Sequence, residues 1–214
     1  MSFSTTTKVE YPDGTVQTTE TVGTARSKWA PIFDDNIIML TDSYKLSHFK
    51  QYPPGTEYVY SYFESRGGKW DSVVFFGLQY FMKRYLSGPV VTEEKIAQAK
   101  EYCTAHMTQP GVEGSGEAAF NEAGWRYVLE NHGGVLPIKI SAVPEGTIVP
   151  NKNVLFTMEN TDPKAFWLTN YLETLLVQIW HPMTVRDLPL ALAAPKQRHV
   201  ALRTPTSLGH VAVV

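Results

Sequence analysis

Proline and glycine cut this chain into pieces, and that punctuation constrains the fold more than any other feature of the sequence. Pro53-Pro54, Ser87-Gly88-Pro89, Gly133-Gly134, Pro144-Glu145-Gly146 and Pro150-Asn151-Lys152-Asn153 fall between apolar segments of strand or short-helix length. Such breaks forbid long continuous helices, because proline lacks the amide donor and glycine readily turns the chain. Between them the hydrophobic period switches repeatedly from two to about 3.6, the mark of mixed helix and sheet. The expected class is α+β.

The segments read as follows. "NIIML" (36–40) has the length of a buried strand, and Thr41 or Asp42 is placed to cap a helix running to Lys50. In "EYVYSYFES" (57–65) Tyr58, Tyr60 and Tyr62 alternate with Val59, Ser61 and Phe63, as in a strand with one packed face that delivers Glu64 and Arg66 to its exit. "VVFF" (73–76) reads as a strand and "GLQYFMKRYL" (77–86) as a helix. A helix from Thr92 carries Ile96, Ala99, Cys103 and Met107 on one stripe, and the Gly-rich "QPGVEGSGEA" that follows reads as a flexible connector. A helix from Asn121 stops at Gly133-Gly134. Three strands follow, in "LPIKISAV", "GTIVP" and "NVLFTME". Asp162-Pro163 then opens a helix to about Trp180 whose apolar residues cover most of its circumference, so it must be buried on several sides or against another chain.

The two ends differ from this middle. In residues 1–35, "TKVEYPDGTVQTTETV" alternates around Pro12-Asp13-Gly14 and is compatible with a hairpin. From Leu188 to Val214 there is no Asp, Glu, Phe, Trp or Tyr, where the chain's own usage leads one to expect roughly six. Three prolines and the lack of either period mark residues 186–214 as an atypical tail, expected to be frameshifted or disordered.

Composition removes several function classes. An apolar fraction of 43% and a charged fraction of 19% describe a globular chain. A net charge of −2 offers no basic field for nucleic acid. No stretch of about 18 apolar residues is available to span a membrane, and a single cysteine, Cys103, fits a cytoplasmic setting. Asp34-Asp35 reads as a solvated turn, the six histidines lack metal-ligand spacing, and no G-x-S-x-G elbow occurs, so no metal site or hydrolase is expected. Asp42, Tyr44 and Arg66 stand out because each lies at the end of an element, where side chains can face a cleft.

Several stretches together resemble one family. "TDSYKLSHFKQYPPGT", "VYSYFESR", "FFGLQYFMKRYLSG", "FNEAGWRYVLE", "LPIKISAVPEGTIVPNKNVLFTMENTDP" and "FWLTNYLETLLVQIWHPMTV" resemble, in order, the N-terminal part of the nicotinamide phosphoribosyltransferases. They span roughly 150 of the 214 residues, from Asn36 to Val185. Nicotinate phosphoribosyltransferases share the architecture but match these strings less well. The resemblance implies the N-terminal domain of a type II phosphoribosyltransferase, which with Mg²⁺ and ATP coupling converts nicotinamide and phosphoribosyl pyrophosphate to nicotinamide mononucleotide and pyrophosphate. It further implies a homodimer in which Tyr44 crosses the interface to stack on the pyridine ring, Asp42 lies close to the base, and Arg66 lies near the phosphate end. In the resembling enzymes the chain continues past the position of Val185 into the barrel carrying most catalytic residues. On that basis this chain is expected to hold substrate-binding residues but no main catalytic residue, to bind no cofactor by itself, and to be inactive alone. The alternatives are a non-catalytic dimerisation or binding module, or a nicotinate phosphoribosyltransferase fragment.

Overall fold

The computed structural model describes residues 3–10, 16–23, 36–68, 70–184 and 210–213. The chain divides into two units, residues 1–35 and 36–214. In the first, β1 (Phe3–Glu10) and β2 (Val16–Gly23) pair antiparallel, from Phe3 opposite Gly23 to Glu10 opposite Val16. The expected turn at Pro12-Asp13-Gly14 and the Asp34-Asp35 pair lie outside the described residues.

The second unit is a mixed helix and sheet domain, as the switching periods require. Its main sheet has the order β5-β7-β3-β8, built from β3 (Tyr60–Glu64), β5 (Ile138–Ala142), β7 (Val154–Asn160) and β8 (His210–Val213), every neighbouring pair antiparallel. A two-stranded ribbon joins β4 (Ser72–Val74) to β6 (Ile148–Pro150). Along β3 the alternation resolves as Val59, Ser61 and Phe63 buried, with Tyr58 and Tyr60 exposed. Phe63 stacks on Phe156 of β7 at 5.0 Å, tying the strands through a cross-strand aromatic pair.

Among the described residues, α-helices cover this framework, including α1 (Leu78–Phe81), α2 (Glu93–Met107), α3 (Ser115–Ala119), α4 (Glu122–His132), α5 (Leu168–Tyr171) and α6 (Glu173–Leu176). Local chemistry starts and stops several of them. Thr92 Oγ1 accepts from the Lys95 amide at the head of α2, and Asn121 Oδ1 accepts from Gly124 at the head of α4. Gly133 ends α4 in the left-handed region, at φ 58°. Ile96, Ala99 and Cys103 of α2 are buried, and Trp125 of α4 meets Trp167 and Tyr171 edge-on at 4.7 and 5.1 Å.

Several elements depart from what the sequence leads one to expect. "NIIML" is a 3-10 turn (Ile37–Met39), because Asn36 Oδ1 captures the Ile38 amide; a short run of buried apolar residues satisfies either conformation. Ser43–Lys50 is a 3-10 helix with Asp42 at its N-cap position, as expected, but without a side-chain cap bond: Thr41 and Asp42 spend their side chains on α5 and α6. After α1 the backbone loosens into a π-helix (Met82–Leu86). The Gly-rich connector contains α3, for which Gly116 is needed, since a Cβ there would stand 2.1 Å from the Thr104 carbonyl oxygen. The segment after Asp162 is no single helix but a 3-10 turn (Pro163–Ala165), α5, α6 and a second 3-10 turn (Val177–Ile179). Its Trp167, Leu172, Leu175, Leu176 and Ile179 are buried within their own chain. Of the tail, residues 210–213 are described, and they form a strand on β3; the rest of residues 186–214 lies outside the described residues. The alternation His210-Val211-Ala212-Val213 is too short to register as a period.

Candidate substrate-binding site

The segment from Thr41 to Lys45 is clamped onto α5 and α6 by contacts between residues about 130 apart in sequence. Thr41 Oγ1 donates to the Tyr171 carbonyl at 2.9 Å. Thr174 Oγ1 accepts from the Asp42 amide at 3.2 Å and donates to Asp42 Oδ2 at 2.8 Å, so one hydroxyl fixes both the backbone and the carboxylate of Asp42. Lys45, only 3% exposed, forms an ion pair with Glu173 and donates to the Asn170 carbonyl at 3.2 Å. Asn170 in turn donates to the Tyr52 hydroxyl at 2.7 Å. A buried ammonium is tolerated only with such partners.

Held this way, the two neighbours of Ser43 face different surroundings. Asp42 is engaged by Thr174, while Tyr44 is 57% exposed. The Tyr44 ring lies 5.0 Å from the His48 ring and 5.5 Å from Lys45 Nζ. Partial burial, together with the negative charges of Asp42 and Glu173, pushes the Tyr44 phenol above its ordinary value, so it is neutral near pH 7. His48 is pushed the other way by burial and by Lys45, against an opposing pull from Glu173. The site therefore offers a neutral aromatic plate beside a fixed carboxylate.

Arg66 sits on a separate element, exposed in the loop that leaves β3. The residue before it is anchored: Ser65 Oγ donates to Asn151 Oδ1 at 2.8 Å, and the Ser65 carbonyl accepts from Lys152 at 2.8 Å. Gly67, at φ 104°, turns the chain immediately afterwards. Asp42 and Tyr44 thus form one locus, and Arg66 is presented from another loop.

Sequence reasoning missed Lys45, Glu173 and Thr174, whose roles depend on pairing across the chain, and also Ser43, whose Oγ lies 2.8 Å from His106 Nε2. No local spacing signals such contacts. Cys103 is buried, and burial pushes its thiol up to about 12, which removes it as a nucleophile at neutral pH. Among the described residues no group of three or more His, Cys, Asp or Glu is disposed to hold a metal ion. No helix among them is long and apolar enough to cross a membrane.

Comparison with known proteins places this locus in a family context. Residues 36–140 match the family model "Nicotinamide phosphoribosyltransferase, N-terminal domain". The nicotinamide phosphoribosyltransferase of Xanthomonas campestris pv. campestris is 52% identical over 151 residues, which cover 71% of this chain and 30% of that protein. That of Acinetobacter baylyi is 33% identical over 191 residues, covering 85% of this chain and 37% of that protein. A crystal structure of human nicotinic acid phosphoribosyltransferase aligns with a TM-score of 0.45 at 16% identity, over 73% of this chain and 29% of that one.

The chain therefore carries a segment similar to proteins of the phosphoribosyltransferase class. More narrowly, it has a nicotinamide phosphoribosyltransferase-like N-terminal segment. It spans about a third of the length of the curated relatives it matches.

Proposed function

We propose that this segment supplies one wall of a nicotinamide-binding pocket in a phosphoribosyltransferase of NAD salvage, acting in the cytoplasm as part of a homodimer. The observation that carries the reading is the exposed, neutral Tyr44 ring beside an Asp42 carboxylate immobilised by Thr174, on a segment similar to that family. An electron-poor pyridine ring is well held by an aromatic face. Asp42, an acceptor fixed in direction, suits an amide donor and disfavours an anion. Holding the ring in line with the ribose anomeric carbon removes part of the entropic barrier to transfer. Arg66 is suited to pair with phosphate oxygens, since a guanidinium offers a planar fork of donors.

In this reading the facing wall, the Mg²⁺-dependent handling of pyrophosphate and the coupling to ATP belong to the part of the relatives beyond the match. The 214-residue chain alone then forms no nicotinamide mononucleotide, because the groups that stabilise transition-state charge are supplied elsewhere. The test is a chimera in which residues 36–185 replace the matched segment of the Xanthomonas protein. The reading predicts formation of nicotinamide mononucleotide from nicotinamide and phosphoribosyl pyrophosphate by the chimera and none by the chain alone. A folded chimera without activity, or full activity of the 214-residue chain, contradicts it.

A further inference from the structure

Between the π-helix Met82–Leu86 and β5 lies a groove that shares no residue with the Asp42–Tyr44 locus and encloses a cavity of about 320 Å³. That volume falls in the ~300–1,000 Å³ range of ligand sites, and the lining is apolar at Met82, Leu86, Leu136, Ile138 and Ile140. Lys83, exposed, is the charged residue of the lining. Lys139 follows the pleat to the opposite face of β5 and pairs with Glu159 at 2.7 Å.

One wall of this groove is also a sheet edge. In the order β5-β7-β3-β8 the outer side of β5 pairs with no strand among the described residues. The Val143 amide donates to the Leu155 carbonyl and the Thr161 amide to the Pro137 carbonyl, which fixes the phase of the β5–β7 ladder. Bonded and non-bonded pairs alternate between those points, so Lys139 and Ser141 bond to β7, while the amides and carbonyls of Ile140 and Ala142 face outward. Ile140 thus offers its side chain to the cavity and its backbone donor and acceptor to whatever lies alongside.

We propose that this groove binds an extended peptide that adds a strand to β5, places an apolar side chain in the cavity and sets an acidic side chain, two residues along, against Lys83. In strand addition the main chain supplies the attraction, and pockets for alternate side chains supply the specificity. The two-residue spacing follows from the pleat, which puts such residues on one face. A small apolar carboxylate would fill the cavity but leave the Ile140 and Ala142 backbone groups to water. A second copy of β5 is the wrong partner, because Ile138–Ala142 carries a lysine and no acid.

The probe is the peptide acetyl-TTVTETT-amide, added to the full chain. Saturable binding is expected, with slower hydrogen exchange at the Ile140 and Ala142 amides. Ala142→Pro removes an outward donor without touching the bonds to β7, and is expected to weaken binding at least ~5-fold. Lys83→Gln is expected to weaken it ~3-fold for this peptide and not for acetyl-TTVTQTT-amide. No saturable binding at millimolar peptide, binding that leaves both amides exchanging as in the free chain, or unchanged affinity of Ala142→Pro overturns the strand addition. Equal affinity of the unaltered chain for the glutamate and glutamine peptides overturns Lys83 as the partner of an acid. The exchange readout and the comparison of the two peptides use the unaltered chain, so they stand even where a variant unfolds.

Discussion

Thr174 shows how one hydroxyl can set the geometry of a site. It accepts from the Asp42 amide and donates to the Asp42 carboxylate, so Thr174→Val keeps the shape but removes both bonds. The expected cost is about 1–3 kcal/mol, measurable by denaturant unfolding, and a change within ~0.5 kcal/mol would show that the clamp contributes little. Lys45 is held by both the Glu173 carboxylate and the Asn170 carbonyl. Removing Lys45 leaves the Glu173 carboxylate half-buried and unpaired there. Gly134 carries a backbone constraint, with φ 79° and a would-be Cβ 2.2 Å from the Val91 carbonyl oxygen. Gly134→Ala is expected to cost at least ~2 kcal/mol, seen as a lower Tm, because both the left-handed conformation and the close approach must be broken. An unchanged Tm would mean that the loop relaxes freely.

Among the elements, the junction between α4 and the turn at Asp162 is held by charge. Asp162 Oδ2 accepts from the Tyr127 hydroxyl and lies 2.8 Å from His132 Nε2, while Oδ1 accepts from the Lys164 amide. Burial pulls the Asp162 pKa upward, but the Lys164 amide, Tyr127 and His132 together outweigh it and hold it below the ordinary value. A carboxyl depressed on folding stabilises the fold above its unfolded pKa, near 4, and that contribution vanishes as pH falls through the folded value. Asp162→Asn should therefore lower Tm at pH 7, with the gap to wild type narrowing from about pH 5 downward. A gap independent of pH would contradict the assignment. This junction also shows what a sequence can reveal. The starts at Thr92, Asn121 and Asp162-Pro163 and the stop at Gly133 were legible because each is decided within a few residues. The 3-10 form of Ser43–Lys50, the helix α3 and the strand β8 were not, because distant contacts decide them: Thr174 for the first, the Thr104 backbone for the second, β3 for the third. In the site, the adjacency of Asp42 and Tyr44 was visible in the string, whereas the hydroxyl and ion pair that orient them were not.

At the scale of the whole molecule, an α+β domain with a clamped Asp42–Tyr44 turn accompanies a match to about a third of each relative's length. The central claim is that Tyr44 provides an aromatic surface for a pyridine ring. Its most direct test is kcat/KM for nicotinamide in the chimera bearing Tyr44→Ala or Tyr44→Phe. Loss of a stacking contact worth about 1–3 kcal/mol on truncation to Ala predicts a roughly 5- to 150-fold fall for Tyr44→Ala. Tyr44→Phe, which keeps the ring and drops only the hydroxyl, is predicted to stay within ~3-fold of the parent. Equal values for Tyr44→Ala and the parent would contradict the account.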